Sequence, residues 1–252
     1  MKFLNINSKL AWKSDFDISQ TVIPFERESI KELKNAILQV GVDPIGRITG
    51  IIPPMPTLKK QFEEARKKQL EFPGFCMFNG IQEHLDPDLW GCACRILVPF
   101  MGEVIGQDLI DQTILNRIST EDQKKFNINI GDHLEVKSVS HKGGDLSKRW
   151  RYSDGKGGGD MHTDGVERPS KFTPKYFGQV VKSISRDGGK SWLASVPQIY
   201  LRLQKSFPEL LEVLHSDFCF SLKGDNIDGK EFTTKPIFFK SGEKDGFDTI
   251  GA

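Results

Sequence analysis

The chain lacks most of the features that assign a function class at once. It has no long apolar run, and residues 1–13 mix polar with apolar types. Neither a signal peptide nor a membrane anchor is therefore expected. It also lacks an excess of charge. Thirty-five Lys and Arg stand against 34 Asp and Glu, a net charge of +1. No overall field favours a nucleic acid or an anionic membrane, so neither is expected as a partner. Cysteine is scarce, with four residues at Cys76, Cys92, Cys94 and Cys219. Only one residue separates Cys92 from Cys94, too few for the usual zinc-knuckle spacing. Reduced thiols in a cytoplasmic protein, acting as small buried hydrophobes, are the expectation. Internal repeats, low-complexity tracts and linkers are missing too, which predicts one domain over residues 1–252. Hydrophobic residues make up 37% and charged residues 27%, enough apolar surface for a substantial core.

Helical signals dominate the first half. Residues 28–40 are amphipathic, with Ile30, Leu33, Ile37 and Leu38 on the predicted core face and Gly41 as a stop. Residues 58–70 form a charged helix facing solvent over most of its surface. Residues 75–78 read as a short strand ending at Asn79-Gly80. Residues 87–104 are apolar on most sides and helical, with a break expected at Pro99. Strand patterns dominate the second half, at 134–139, 176–184, 191–194, 218–222 and 236–239. Between them, Ser195 caps a helix that has Pro197 in its first turn and runs to Ser206. Pro208 opens a further helix over 209–215. Helices early and strands late predict an α+β fold with a β-sandwich core.

Residues 143–159 are rich in Gly, Asp, Ser, Lys and Arg, a loop leading into Asp160-Met161-His162-Thr163-Asp164-Gly165. If this segment is extended, His162 and Asp164 project from one face, because side chains repeat every second residue on a strand. An imidazole nitrogen and a carboxylate oxygen then converge on one point. They supply two thirds of a 2-His-1-carboxylate triad, the ligand set of non-haem Fe(II) oxygenases. The same tripeptide also suits an ordinary surface turn. Arg149, Trp150, Arg151 and Tyr152 precede the glycines and suit either an anionic substrate or a solvated loop. Glu167 and Arg168 follow the motif and would line the site's mouth. His84, His133 and His141 have no partner at ligand spacing.

Downstream, Gly188-Gly189-Lys190-Ser191-Trp192-Leu193-Ala194-Ser195 follows the motif after one predicted strand, and a helix and a Pro-Glu-Leu segment come next. Together these resemble the taurine dioxygenase (TauD/TfdA-like) family, most clearly over residues 150–222. That resemblance implies a double-stranded β-helix, or jelly roll, with flanking helices. It also implies an Fe(II)- and 2-oxoglutarate-dependent dioxygenase that hydroxylates a small-molecule substrate and is supported by ascorbate in vitro. By the same resemblance His162 and Asp164 hold the iron. Ser191 stands where the family has a threonine and keeps a hydroxyl for the co-substrate's carboxylate. Lys190 replaces the family's acidic residue.

The family also needs a distal histidine and then an arginine for the far carboxylate of 2-oxoglutarate. His215 is the only later histidine, and no arginine follows Arg202. His215 lies at the end of a helix with Leu210, Leu211 and Leu214 at core spacing, which favours a structural role. The preferred expectation is a chain that ends before both residues, with the distal part of the active site missing. A catalytically inactive jelly-roll remnant or binding module is the alternative. Self-association is left open.

Overall fold

The computed structural model describes residues 3–40, 51–102, 160–165, 176–181, 186–187, 190–222 and 230–251. The strand expected at 134–139, the loop at 143–159 and the end of the 176–184 strand lie outside the described residues.

Two small cores organise the described chain. The first is built from three helices. Helix α1 (Arg27–Gln39) buries Ile30, Leu33, Ala36 and Ile37. This is a stripe at three- and four-residue spacing. Leu38, expected on that face, is 81% exposed. One residue advances a helix by about 100°, so Leu38 turns away once Ile37 faces the core. Helix α2 (Pro56–Glu71) packs beside α1 and adds Leu58 and Phe62 to the same core, with Ala65 also buried and Lys59, Lys60, Glu63 and Glu64 exposed. Helix α3 (Trp90–Leu97) buries Trp90, Cys92, Ala93, Cys94, Ile96 and Leu97. It is shorter than the sequence pattern suggested, because 3-10 turns at Pro87–Leu89 and Val98–Phe100 replace its ends. Pro99 has no N–H to donate, and the tighter turn closes through Met101 N–H to the Val98 carbonyl at 2.9 Å.

The N-terminus of α2 is capped from another helix. Glu32 on α1 accepts from Thr57 N–H at 3.1 Å and from Leu58 N–H at 2.9 Å. Each carboxylate oxygen thus takes one of the donors that a helix start leaves unpaired, and its negative charge lies at the positive end of the helix. Glu32→Ala should cost about 1–2 kcal/mol, the usual range for a lost N-cap. Glu32→Gln should recover part of that through its one remaining acceptor. Urea unfolding midpoints test this, with the slope expected to stay unchanged.

Strand β1 (Val22–Pro24) pairs in parallel with β2 (Met77–Asn79). Gln61, buried on α2, finishes the pairing. Its amide donates to the Pro24 carbonyl at 3.1 Å and its oxygen accepts from Glu26 N–H at 3.3 Å. Phe78 stacks on Phe62 and Phe25, at centroid separations of 4.6 and 4.9 Å.

The second core holds Ile6, Tyr200, Leu211 and Phe238. Helix α4 (Val196–Ser206) starts where the sequence indicated, with the Ser195 hydroxyl accepting from Gln198 N–H at 3.2 Å. Helix α5 (Pro208–Leu214) follows directly. Strand β3 (Asp217–Ser221) pairs antiparallel with β4 (Phe232–Pro236), and β5 (Phe239–Lys244) with β6 (Phe247–Gly251). The β5–β6 turn is Asp245-Gly246, with φ of 53° and 77°. Two consecutive positive φ values make the type I′ hairpin turn, which suits the twist of the strands it joins. The N-terminal segment belongs to this core. Asn5 N–H donates to the Asp248 carboxylate at 2.8 Å, and Asp248 N–H returns a bond to the Asn5 carbonyl at 2.9 Å.

Residues 176–181 and 191–194 form no strand, contrary to expectation. Phe177, Val181, Trp192 and Leu193 are exposed. A strand exists only with a partner ladder, and among the described residues none runs beside them. Three two-stranded sheets are described, and none closes into a barrel. No described helix is long and apolar enough to cross a membrane.

Candidate functional site

His162 and Asp164 lie in an exposed bend and turn, not on a strand ladder. Gly165 closes the turn at a φ of 71°, a backbone conformation that side chains other than glycine's rarely tolerate. The structure nevertheless brings the two side chains together, with His162 Nε2 lying 3.2 Å from Asp164 Oδ1. The other ring nitrogen, Nδ1, is 2.6 Å from the Asp160 carbonyl oxygen.

These two contacts constrain each other. A carbonyl only accepts, so Nδ1 carries the proton it receives. In a neutral ring Nε2 then bears a lone pair, and that lone pair faces a carboxylate oxygen, another acceptor. Two acceptors at this distance need a positive charge between or on them. Either a second ring proton makes an imidazolium–carboxylate pair, or a cation sits in front of both. The separation is compatible with both cases. Neighbouring ligands about 2.1 Å from one ion at a right angle lie about 3.0 Å apart. Fixing one imidazole nitrogen on a backbone carbonyl so that the other is free for a metal is how metal-binding histidines are commonly oriented.

The other expected residues are not gathered at this pair. Ser191 is exposed in irregular backbone, and no hydrogen bond within the described residues ties it to His162 or Asp164. His215 lies in the second core, with its Nε2 2.9 Å from the Tyr200 hydroxyl and the two rings edge to face. The nitrogen it would offer a metal is thus already engaged. His84 is exposed. His133, His141, Arg149, Trp150, Arg151, Tyr152, Glu167 and Arg168 lie outside the described residues. No cluster of three or more metal-ligating side chains occurs among the described residues. All four cysteines are free. Burial pushes the Cys92 and Cys94 thiols up, against the opposing effect of Arg95, so both are poor nucleophiles and poor metal ligands.

Sequence reasoning missed the Asp160 carbonyl. A backbone acceptor carries no residue signature, and only the chain's path through the turn reveals it. Comparison of the chain with protein-family models, with curated proteins and with solved structures gave no match.

Proposed function

We propose that this protein is an Fe(II)- and 2-oxoglutarate-dependent dioxygenase of the TauD/TfdA-like kind, built on a double-stranded β-helix, cytoplasmic, and acting on a small molecule. One observation carries the reading: the 3.2 Å convergence of His162 Nε2 on Asp164 Oδ1, with Nδ1 held by the Asp160 carbonyl. A nitrogen and a carboxylate oxygen form a donor set that fits Fe(II). When bound, the metal and 2-oxoglutarate supply the oxidising power: O₂ and the keto acid give succinate, CO₂ and a hydroxylated substrate. The protein's own part is to hold. The Asp160 carbonyl keeps the imidazole turned, Asp164 offsets part of the ion's charge, and the Ser191 hydroxyl is the candidate donor to a co-substrate carboxylate.

A second reading is a non-catalytic binding module of the same fold. It is favoured by the absence of a third ligand beside the pair among the described residues. One assay separates the two. The protein is incubated with Fe(II), ascorbate and 2-oxoglutarate, and succinate is measured against a protein-free control. With no third ligand beside the pair among the described residues, slow iron-dependent succinate formation, lost in both His162→Ala and Asp164→Ala, is the expected result. No succinate above the control at any iron concentration would reject the dioxygenase and leave the binding module.

A further inference from the structure

A second candidate site shares no lining residue with the His162–Asp164 pair. A cleft of about 350 Å³ opens between the N-terminal segment and helix α4, lined by Lys13, Ser14, Gln198, Ile199 and Arg202. That volume falls at the small end of ligand pockets, about 300–1,000 Å³. Two of the five lining residues are cations and none is an acid. Neither Lys13 nor Arg202 has an ion-pair partner among the described residues. Asp15, the nearest acid in sequence to Lys13, does not line the cleft, and the carboxylate of Asp17 is taken up by Ser19 N–H at 3.0 Å.

Both walls are held in place. On one side, the Ser195 hydroxyl donates to the Leu10 carbonyl at 3.2 Å and fastens the N-terminal segment to the start of α4. Trp12 Nε1 donates to the Pro73 carbonyl at 2.9 Å, and Phe16 N–H closes a turn onto the Lys13 carbonyl at 3.0 Å. Lys13 and Ser14 therefore project from backbone that is pinned before and after them. On the other side, Gln198 and Arg202 are one helical turn apart on α4 and share a face. Ile199 adds an apolar wall.

We propose that this cleft binds a small organic dianion. The guanidinium of Arg202 presents a planar fork that matches a carboxylate or phosphate, and Lys13 adds a point charge. The Ser14 hydroxyl and the Gln198 amide are further donors, and Ile199 covers a short carbon skeleton. An anion of two charges would meet both cations that line the cleft. Carboxylate and phosphate share this chemistry.

Isothermal titration of the metal-free protein with malonate and with inorganic phosphate tests the site, with sodium chloride at matched ionic strength as the control. One or both anions should saturate at one per chain while chloride does not, and the tighter of the two names the head group. Arg202→Gln should weaken binding about tenfold or more, through loss of the bidentate fork. Lys13→Gln should weaken it less. His162→Ala should leave it unchanged, which separates this cleft from the proposed iron site. Arg186→Gln, a change at an exposed arginine elsewhere, should also leave it unchanged. The proposal is overturned if neither anion saturates, if Arg202→Gln binds as the unaltered chain does, or if Arg186→Gln costs as much as Arg202→Gln.

Discussion

His162→Ala and Asp164→Ala should each weaken binding of Zn(II) or Mn(II), used as stand-ins for Fe(II), by about 100-fold or more. The scale follows from what surrounds metal ligands. Removing a group that merely orients a ligand commonly costs about 10–100-fold in affinity, and removing a ligand from a set this small should cost no less. Asp164→Asn is the sharper variant, because it keeps the shape and removes the charge that offsets the cation. The pH dependence gives an independent check. A metal at His162 Nε2 competes with a proton for the same lone pair, while Nδ1 stays on the Asp160 carbonyl. Affinity should therefore fall as acid puts a proton on Nε2. An affinity independent of pH would place the ion elsewhere. No metal binding at all would leave a plain imidazolium–carboxylate pair. Both groups are more than half exposed, and such a pair contributes little to stability.

The parts of the fold written in local chemistry were legible in the sequence. Apolar spacing located α1, a run of charged residues located α2, and Ser195 with Pro197 located the start of α4 within one residue. These signals act within one or two helical turns. What failed depended on distant partners. Residues 176–181 and 191–194 have the alternation of strands, but alternation supplies no neighbour, and none lies beside them among the described residues. Strand β1 spans three residues and exists through pairing with β2 and through Gln61. The β5–β6 hairpin is a different case. Asp245-Gly246 between alternating residues is a strong local turn signal, and it was there to be read. At the candidate site the two-residue spacing pointed to His162 and Asp164, although the segment is a turn and not the extended strand on which the argument rested. The role of His215 was decided by Tyr200, fifteen residues earlier on the neighbouring helix, and only the packing of α4 against α5 brings them together.

Tyr200 carries the largest stability effect expected in the second core. It is fully buried, with its ring edge to face against Phe238 at 5.4 Å and against His215 at 5.6 Å. Its hydroxyl accepts from Leu4 N–H at 2.8 Å and lies 2.9 Å from His215 Nε2. Burial pushes its pKa up, opposed by the Leu4 hydrogen bond and reinforced by Asp248, so the phenol stays protonated through the neutral range. The hydroxyl oxygen accepts from Leu4 N–H and keeps a second lone pair, so the ring tautomer of His215 sets the direction of its bond to Nε2. Three elements thus meet at one oxygen: the N-terminal segment, α4 and the end of α5. Tyr200→Phe keeps the ring and strands both partners, which should cost about 1–3 kcal/mol. Tyr200→Ala also empties the centre of a core with four buried members among the described residues, and should cost about 3–5 kcal/mol. Amide hydrogen exchange locates the loss. In Tyr200→Phe, protection should fall at Leu4 and Asn5 and at Asp248, which the Asn5 bonds hold to the N-terminal segment. Protection within α1 and α2, whose side chains pack in the other core, should persist. A Tyr200→Phe protein within about 0.5 kcal/mol of the unaltered chain, with exchange unchanged at Leu4, would show that the hydroxyl does not hold the N-terminal segment in place.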